Sequence, residues 1–294
     1  MEKISCSTVI IGAMRLGEWG AQMTTAELEA FIEGCLELGI NDFDHADIYG
    51  HYSTEEDFGR VLKGNSSLRT QLQLTTKCGI KMITDRRPNH KIKSYDSTPR
   101  HIVQSVEHSL RALQTDYIDI LLLHRPDLLI PVHETASCID RLLKEGKIRA
   151  FGLSNHPSSL ASLIHDQIPV STHQVEISTV QLSAFHDGTL DQCQQNGWIP
   201  TAWSPLGAHQ IFAEQPNERA RRILKTSKEL AAKHDVTFDQ ILFAWLAKHP
   251  AGIIPVIGTT KIDRVRATKE AMSIKLTHEE WYELYTASIG HEVA

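Results

Sequence analysis

The run Tyr117-Ile118-Asp119-Ile120-Leu121-Leu122-Leu123-His124 lacks the alternation of a half-solvated strand and stops on an imidazole. An apolar run of that length without period two reads as a strand buried on both faces, as in a parallel sheet covered by helices. The sequence on either side repeats the pattern. Thr98 followed by Pro99 has the chemistry of an N-cap with proline in the first helical position, and Ile102, Val103, Val106, Leu110 and Leu113 form a stripe on the helix that follows. Further upstream, LQLTTK from Leu72 ends on Lys77 and INDFD from Ile40 ends on Asp44. Between TVIIG (from Thr8) and INDFD, Thr24-Thr25-Ala26-Glu27 is a capping signature ahead of Leu28, Phe31, Ile32 and Cys35, with Gly39 as a stop. Downstream come KIRAFGLS from Lys147, THQVEIS from Thr172, WIPTAWS from Trp198 and GIIPVIG from Gly252.

Eight strand candidates separated by amphipathic segments predict an α/β fold, a (β/α)8 TIM barrel, rather than an open doubly wound sheet. No linker or repeat marks a boundary, so residues 1–294 read as a single domain. After the eighth strand, the segment Ile262 to Thr268 and a second one opened by Thr277, with Trp281, Leu284 and Tyr285, predict helix eight and one extra C-terminal helix. A long polar insert, Lys81 to Ser97, separates strands three and four.

Composition narrows the function classes. With 41% hydrophobic residues, 22% charged and a net charge of -6, the 294-residue chain is neither disordered nor strongly basic, and nucleic acid is not an expected partner. No apolar run approaches the roughly 20 residues of a membrane span, so no membrane partner is expected. The residues around Lys3 lack the apolar core of a secretory leader, which predicts a cytoplasmic protein. Cys6, Cys35, Cys78, Cys138 and Cys193 form an odd, widely spaced set without CxxC, predicting reduced thiols and no structural metal.

Barrel active sites lie at the carboxyl ends of the strands. Asp44, Lys77 and His124 each close an apolar run on consecutive strands, and Tyr49 follows Asp44 closely enough to turn back over the same mouth. Singly, Asp44 reads as a turn or cap and His124 as one of 16 histidines. Together they make chemical sense, because a lysine in a barrel mouth needs a partner such as Asp44 against desolvation. A cation at about 4 Å favours a phenolate by roughly 4 kcal/mol at an effective dielectric of 20, which predicts that Lys77 lowers the Tyr49 pKa by about three units from its reference near 10. Tyr49 would then protonate a carbonyl oxygen, with His124 donating to the same atom. No side chain supplies the matching hydride, so a nicotinamide cofactor is implied. The chain has no GxGxxG, and the barrel itself must hold that cofactor.

Six motifs in order, FDHADIYG (43–50), TTKCG (75–79), LLLHRPD (121–127), GLSN (152–155), HQVE (173–176) and AWSPLG (202–207), resemble those of the aldo-keto reductase family over nearly the whole chain. The resemblance implies a tetrad of Asp44, Tyr49, Lys77 and His124. It also implies that Ser154, Asn155 and Gln174 bond the nicotinamide carboxamide, that Trp203 stacks on its ring, and that Met14 and Arg15 approach from the first loop. Ser204, Leu206 and Gly207 would follow the pyrophosphate. GTTKIDR resembles the adenosine-phosphate segment, with Thr259, Lys261 and Arg264 at a helix start, which implies NADPH/NADP as cofactor and leaves NADH possible. Two departures accompany the match: Ala267 and Thr268 stand where a Glu and an Asn commonly touch adenine, and only about seven residues precede the first strand where the family has a floor-closing hairpin.

The expected partner is a small-molecule carbonyl substrate, walled by Trp19, Tyr52, the loop after strand three, Pro126 to Ile130 and the loop from Ala208 to Asn217. Lys81, Arg86, Arg87, Lys91 and Lys93 read as a solvated basic loop rather than an anion trap. The alternatives are a nucleotide-binding redox-sensing module that keeps the same tetrad, and a metal-dependent hydrolase, which would want an HxH that is absent.

Overall fold

The structure, a computed structural model, describes residues 4–208 and 210–294, so Lys3 and the loop residue His209 lie outside the described residues. The elements run β1 (Ile10–Gly12), α1 (Thr25–Glu37), β2 (Asp42–Asp44), the single turn α2 (Tyr49–Tyr52), α3 (Thr54–Gly64), β3 (Gln73–Cys78), β4 (Ile80–Lys81), β5 (Ser94–Tyr95) and α4 (Pro99–Ala112). They continue with β6 (Ile118–Leu123), α5 (Val132–Lys144), β7 (Ile148–Ser154), α6 (Ser158–His165), β8 (Thr172–Glu176), α7 (Thr189–Asn196) and β9 (Ile199–Trp203). The chain ends with α8 (Glu218–His234), α9 (Phe238–Ala247), β10 (Ile254–Ile257), α10 (Ile262–Ala271) and α11 (His278–Ile289).

All eight expected strands enter one closed parallel barrel in the order β1-β10-β9-β8-β7-β6-β3-β2. Two features lie beyond the sequence reading. The polar insert carries a two-stranded antiparallel ribbon, Ile80 opposite Tyr95 and Lys81 opposite Ser94. Two helices, α8 and α9, separate β9 from β10 where one was expected.

Contacts divide the chain into two compact units, one of residues up to His173 with Gly258–Ile262, the other of Gln174–Ile257 with Asp263–Ala294. In the first, Thr24 caps α1 in a reciprocal box with Glu27, and Thr98 accepts from the His101 N–H to open α4 behind Pro99. Every residue of β6 is buried, as its unbroken apolar run requires. Gly152 of β7 is a packing necessity, since a Cβ there would come within 2.6 Å of Leu122 and Thr172. Ile4 packs against Ile120, Leu122 and Ala150, so an apolar side chain from the N-terminal segment covers part of that group.

The second unit is held by rings. Trp245 of α9 stacks on Trp281 of α11 at 4.9 Å and 9°, and each indole N–H donates to the other's backbone carbonyl, at 3.0 and 3.1 Å. Trp281 stacks in turn on Tyr285 at 5.6 Å, which places the expected C-terminal helix through the residues that announced it.

Candidate active site

Strand alternation builds the site. On β3, Lys77 and Thr76 point to opposite faces: Thr76 Oγ1 donates to Glu55 of α3, behind the barrel wall, while Lys77 turns to Asp44. Asp44 ends β2 directly beside β3, in register with Thr75. The Lys77 ammonium, 1% exposed, donates to Asp44 Oδ2 at 2.7 Å, to the His45 carbonyl at 2.9 Å and to the Tyr49 hydroxyl at 3.2 Å. An ammonium has three protons, and all three are used. Because the phenol oxygen accepts from Lys77, the proton of Tyr49 is free to point elsewhere.

His124 follows β6, its backbone N–H bonded to the Cys78 carbonyl at 2.9 Å. Its ring stands edge-on to Tyr49 at 6.2 Å and 83°, and its Nδ1 has no hydrogen-bond partner. Burial, reinforced by the charges of Lys77, Arg125 and Lys93, holds this imidazole well below 6.5, so at neutral pH it is uncharged and carries one N–H. For Lys77, burial works against the charged form, yet the charges of Asp44 and Tyr49 outweigh it and leave the ammonium above 10.5.

The expected acidification of Tyr49 is corrected here. Burial pushes its phenol above 10.0; Lys77 opposes this, and the Asp44 charge adds to it. The Lys77 charge is already shared with a carboxylate, and desolvation of a buried phenolate exceeds the remaining attraction. Tyr49 therefore keeps its proton at neutral pH.

The turn after Tyr49 is left-handed at three successive residues, Gly50 (φ 57°), His51 (φ 53°) and Tyr52 (φ 70°). Glycine takes that conformation freely, whereas the other two need anchors. His51 Nδ1 lies 2.8 Å from Glu18 Oε1 and its ring meets Trp19 edge-on at 5.2 Å. The Tyr52 hydroxyl donates to the Ile80 carbonyl at 3.2 Å and accepts the Met82 N–H at 3.1 Å. Tyr52, expected as a substrate wall, is 5% exposed and braces the ribbon instead. Trp19 does face the site, its ring 6.1 Å from Tyr49. In the insert, Lys81 and Arg86 pair with Asp96 and Glu56 at 3.6 and 3.7 Å, and Arg87 lies over the Tyr52 ring, as a solvated basic loop would. Cys78 points away from Lys77, and burial raises its thiol well above 9.0.

The remaining residues of the first unit stand as follows. Met14 and Arg15 form an exposed turn after β1, with Arg15 lying against Gly258. Ser154 closes β7, and Asn155, left-handed at φ 59°, donates to the Ser154 hydroxyl at 2.8 Å. The Thr259 hydroxyl accepts the Lys261 N–H at 3.2 Å ahead of α10. In the second unit, Gln174 lies in β8 and Trp203 closes β9. Ser204 (φ 49°) and Gly207 (φ 71°) shape a turn around Leu206 in which Gly207 N–H donates to the Ser204 carbonyl at 2.8 Å. Arg264 is exposed on α10. Thr268 is 5% exposed and spends its hydroxyl on the Arg264 carbonyl, so with Ala267 it offers no outward polar group there.

The His45 carbonyl, the His51–Glu18 pair and a buried Asp47–Glu55 pair escaped the sequence reading. Backbone acceptors and loop pairs leave no periodic trace, but Glu55 sits in the otherwise solvent-like TEED, and Asp47 lies inside FDHADIYG.

A parallel eight-stranded barrel with a Lys-centred polar group at the carboxyl ends of β2, β3 and β6 defines a (β/α)8-barrel protein. The family described as Aldo/keto reductase matches residues 8–288, and the chain belongs to that family and is an oxidoreductase. It is 40% identical to an uncharacterized oxidoreductase, YcsN, of Bacillus subtilis, over 99% of this chain and 97% of that protein. It is 38% identical to a 6-dehydroglucose reductase of Agrobacterium fabrum, over 100% of this chain and 98% of the relative. A crystal structure of an aldo/keto reductase from Klebsiella pneumoniae in complex with NADP and acetate is similar at a TM-score of 0.74 and 25% identity, covering 95% of this chain and 90% of that one. Among the described residues, no helix is long and apolar enough to cross a membrane.

Proposed function

We propose that this oxidoreductase reduces aldehyde or ketone carbonyls to alcohols with NADPH, and that Tyr49 is its general acid. The observation that carries the reading is the Lys77 ammonium bonded at once to Asp44 at 2.7 Å and to the Tyr49 hydroxyl at 3.2 Å.

When bound, NADPH supplies the hydride that the carbonyl carbon takes up. Tyr49 donates the proton to the carbonyl oxygen, completing the alcohol. Lys77 steadies the phenolate left behind, Asp44 keeps Lys77 charged and aimed, and the neutral His124 donates to the same oxygen and orients it. A phenol that holds its proton at neutral pH suits this direction, because the acid must stay loaded until the carbonyl oxygen gains negative charge.

The residues present fit the nucleotide. In the first unit, Ser154 and Asn155 offer a hydroxyl and an amide for the carboxamide, with Met14 and Arg15 on the loop after β1. Thr259 and Lys261 precede a helix start suited to a phosphate. In the second unit, Gln174 and Trp203 have the chemistry for the carboxamide and ring, and Ser204, Leu206 and Gly207 make a turn fit for pyrophosphate. Arg264 provides a further cation. With Ala267 and Thr268 contributing no outward polar group to adenine, binding leans on the phosphate contacts, which favours NADPH over NADH.

Trp19 presents a flat ring beside Tyr49, and His51 with Glu18 adds polar groups to that edge. Such a mouth suits a hydroxylated aldehyde, and the relative named 6-dehydroglucose reductase makes sugar aldehydes the first class to screen, ahead of aromatic aldehydes, dicarbonyls and ketosteroids. Titration with NADPH and NADH, followed by that screen at the nicotinamide absorbance, tests the reading. Tyr49→Phe is expected to keep NADPH affinity and lose on the order of 100-fold or more in kcat; undiminished turnover in this variant would remove Tyr49 from its role.

A further inference from the structure

Behind β3, on the face opposite Lys77, two carboxylic acids lie out of water among hydroxyls. Glu55 of α3 is 3% exposed, and Asp47, in the loop between β2 and Tyr49, is 4% exposed. Thr76 Oγ1 donates to Glu55 Oε1 at 2.5 Å, and Ser109 and Ser105 of α4 bond Glu55 and Asp47 respectively. Asp47 Oδ1 and Glu55 Oε2 have no partner. Two neighbouring carboxylates so placed suffer both desolvation and mutual repulsion, and protonation relieves both. Burial, then the Glu55 charge, drives Asp47 well above 3.8, and burial drives Glu55 up to about 7.

These acids grip the catalytic strand from outside. Glu55 holds Thr76, the residue before Lys77. Asp47 donates its backbone N–H to the Lys77 carbonyl at 3.0 Å and stands two residues before Tyr49. Both ends of the Lys77–Tyr49 hydrogen bond are thus tied to the pair.

We propose that Glu55 and Asp47 are positioning residues that set the Lys77–Tyr49 contact from behind the barrel wall and loosen it when the pair becomes charged. The proposal rests on the reading of Tyr49 as the general acid. The ionisable groups turned toward Glu55 are Asp47 from the loop after β2, Glu56 from its own helix, Cys78 from β3 and Arg87 from the segment between β4 and β5. From α4 come the hydroxyls of Ser105 and Ser109. Cys78 stays a neutral thiol. Arg87 lies over the Tyr52 ring at 4.6 Å and acts on the pair only through its charge.

The test uses Glu55→Gln, which stays neutral and keeps an oxygen for Thr76, and Thr76→Val, which deletes the grip and keeps the shape. Steady-state rates with NADPH are taken below and above pH 7, alongside infrared spectra in the carboxylic C=O region. Wild-type kcat is expected to fall as pH rises through about 7 with little change in KM, in step with loss of the carboxylic band. Glu55→Gln removes that limb and that component of the band. Thr76→Val lowers kcat on the order of tenfold with KM nearly unchanged, as a small misplacement of the acid would. Persistence of the limb in Glu55→Gln, or a Thr76→Val enzyme whose kcat is intact and whose Tm alone drops, overturns the positioning role. Should the wild type reduce no carbonyl, the reading of Tyr49 fails separately. The pair is then read from the ultraviolet difference signal lost in Tyr49→Phe, which is expected to shift near pH 7 in the wild type and not in Glu55→Gln. A pH-independent signal counts against the proposal.

Discussion

Lys77 has three protons and three acceptors, and the acceptors come from three successive points of one stretch, Asp44, the His45 carbonyl and Tyr49. Removing it takes the ammonium away from a carboxylate that is 2% exposed. Lys77→Met is therefore expected to destabilise the fold by about 3–5 kcal/mol in urea titrations, the range for breaking a buried pair from one side. Adding Asp44→Asn should restore much of that stability and none of the activity. A single variant as stable as the parent would mean that the pair is not desolvated as described. The pairing of Asp44 with Lys77 was legible because both residues end apolar runs on adjacent strands. The direction of the Tyr49 shift was not, because a Coulomb estimate needs only a neighbour, whereas desolvation depends on everything packed around the ring.

At the level of elements, the helices announced themselves through caps: Thr24 with Glu27, Thr98 with Pro99, and Thr277 all open helices where the sequence places them, and the structure adds Glu280 to the Thr277 cap. Elements with short or weak periodicity did not. Each strand of the β4–β5 ribbon is 2 residues long, too short to leave an alternating pattern, and it is fixed by the Tyr52 hydroxyl, whose reach no local pattern records. α9 and α11 are joined by the Trp245–Trp281 stack and its two reciprocal N–H bonds. Trp245 is 0% exposed, so Trp245→Ala should cost about 3–5 kcal/mol. In a thermal scan that is a fall in Tm of roughly 6–12 °C or more. An unmoved Tm would show that the stack holds nothing. Glu280, in the first turn of α11, is buried, which raises its carboxyl, but Lys233, the Thr277 N–H and His234 bring it down to about 2. Its contribution is fully present above 4.5 and fades as pH falls toward about 2.

For the whole molecule, pH acts through buried histidines. Burial holds His45 and His173 at about 3 and His156 at about 4, and His124 lies well below 6.5. The unfolded chain takes up protons near 6.5 while the folded one resists, so stability is complete above that value and is lost as pH falls below it. Asp47 and Glu55 run the other way, since their folded values are raised and stability is lost as pH climbs from about 4.5 toward about 7. With His101, His108 and His249 also lowered and Asp42 also raised, seven histidines outnumber three acids, and Tm is expected to drop between pH 6.5 and 4.5; a flat profile in differential scanning calorimetry would show that the histidines are not buried uncharged. The amino-acid sequence alone determined the barrel, its eight strands and the three polar residues at the carboxyl ends of β2, β3 and β6, with Tyr49 close behind, because strand burial and helix capping are written in local periodicity and spacing. Only the tertiary structure decided which atoms Lys77 binds, that Tyr49 holds its proton more firmly, and that Glu55 and Asp47 bond to Thr76 and Lys77 of β3. Those outcomes depend on desolvation and on contacts between residues far apart in the chain, and neither has a period.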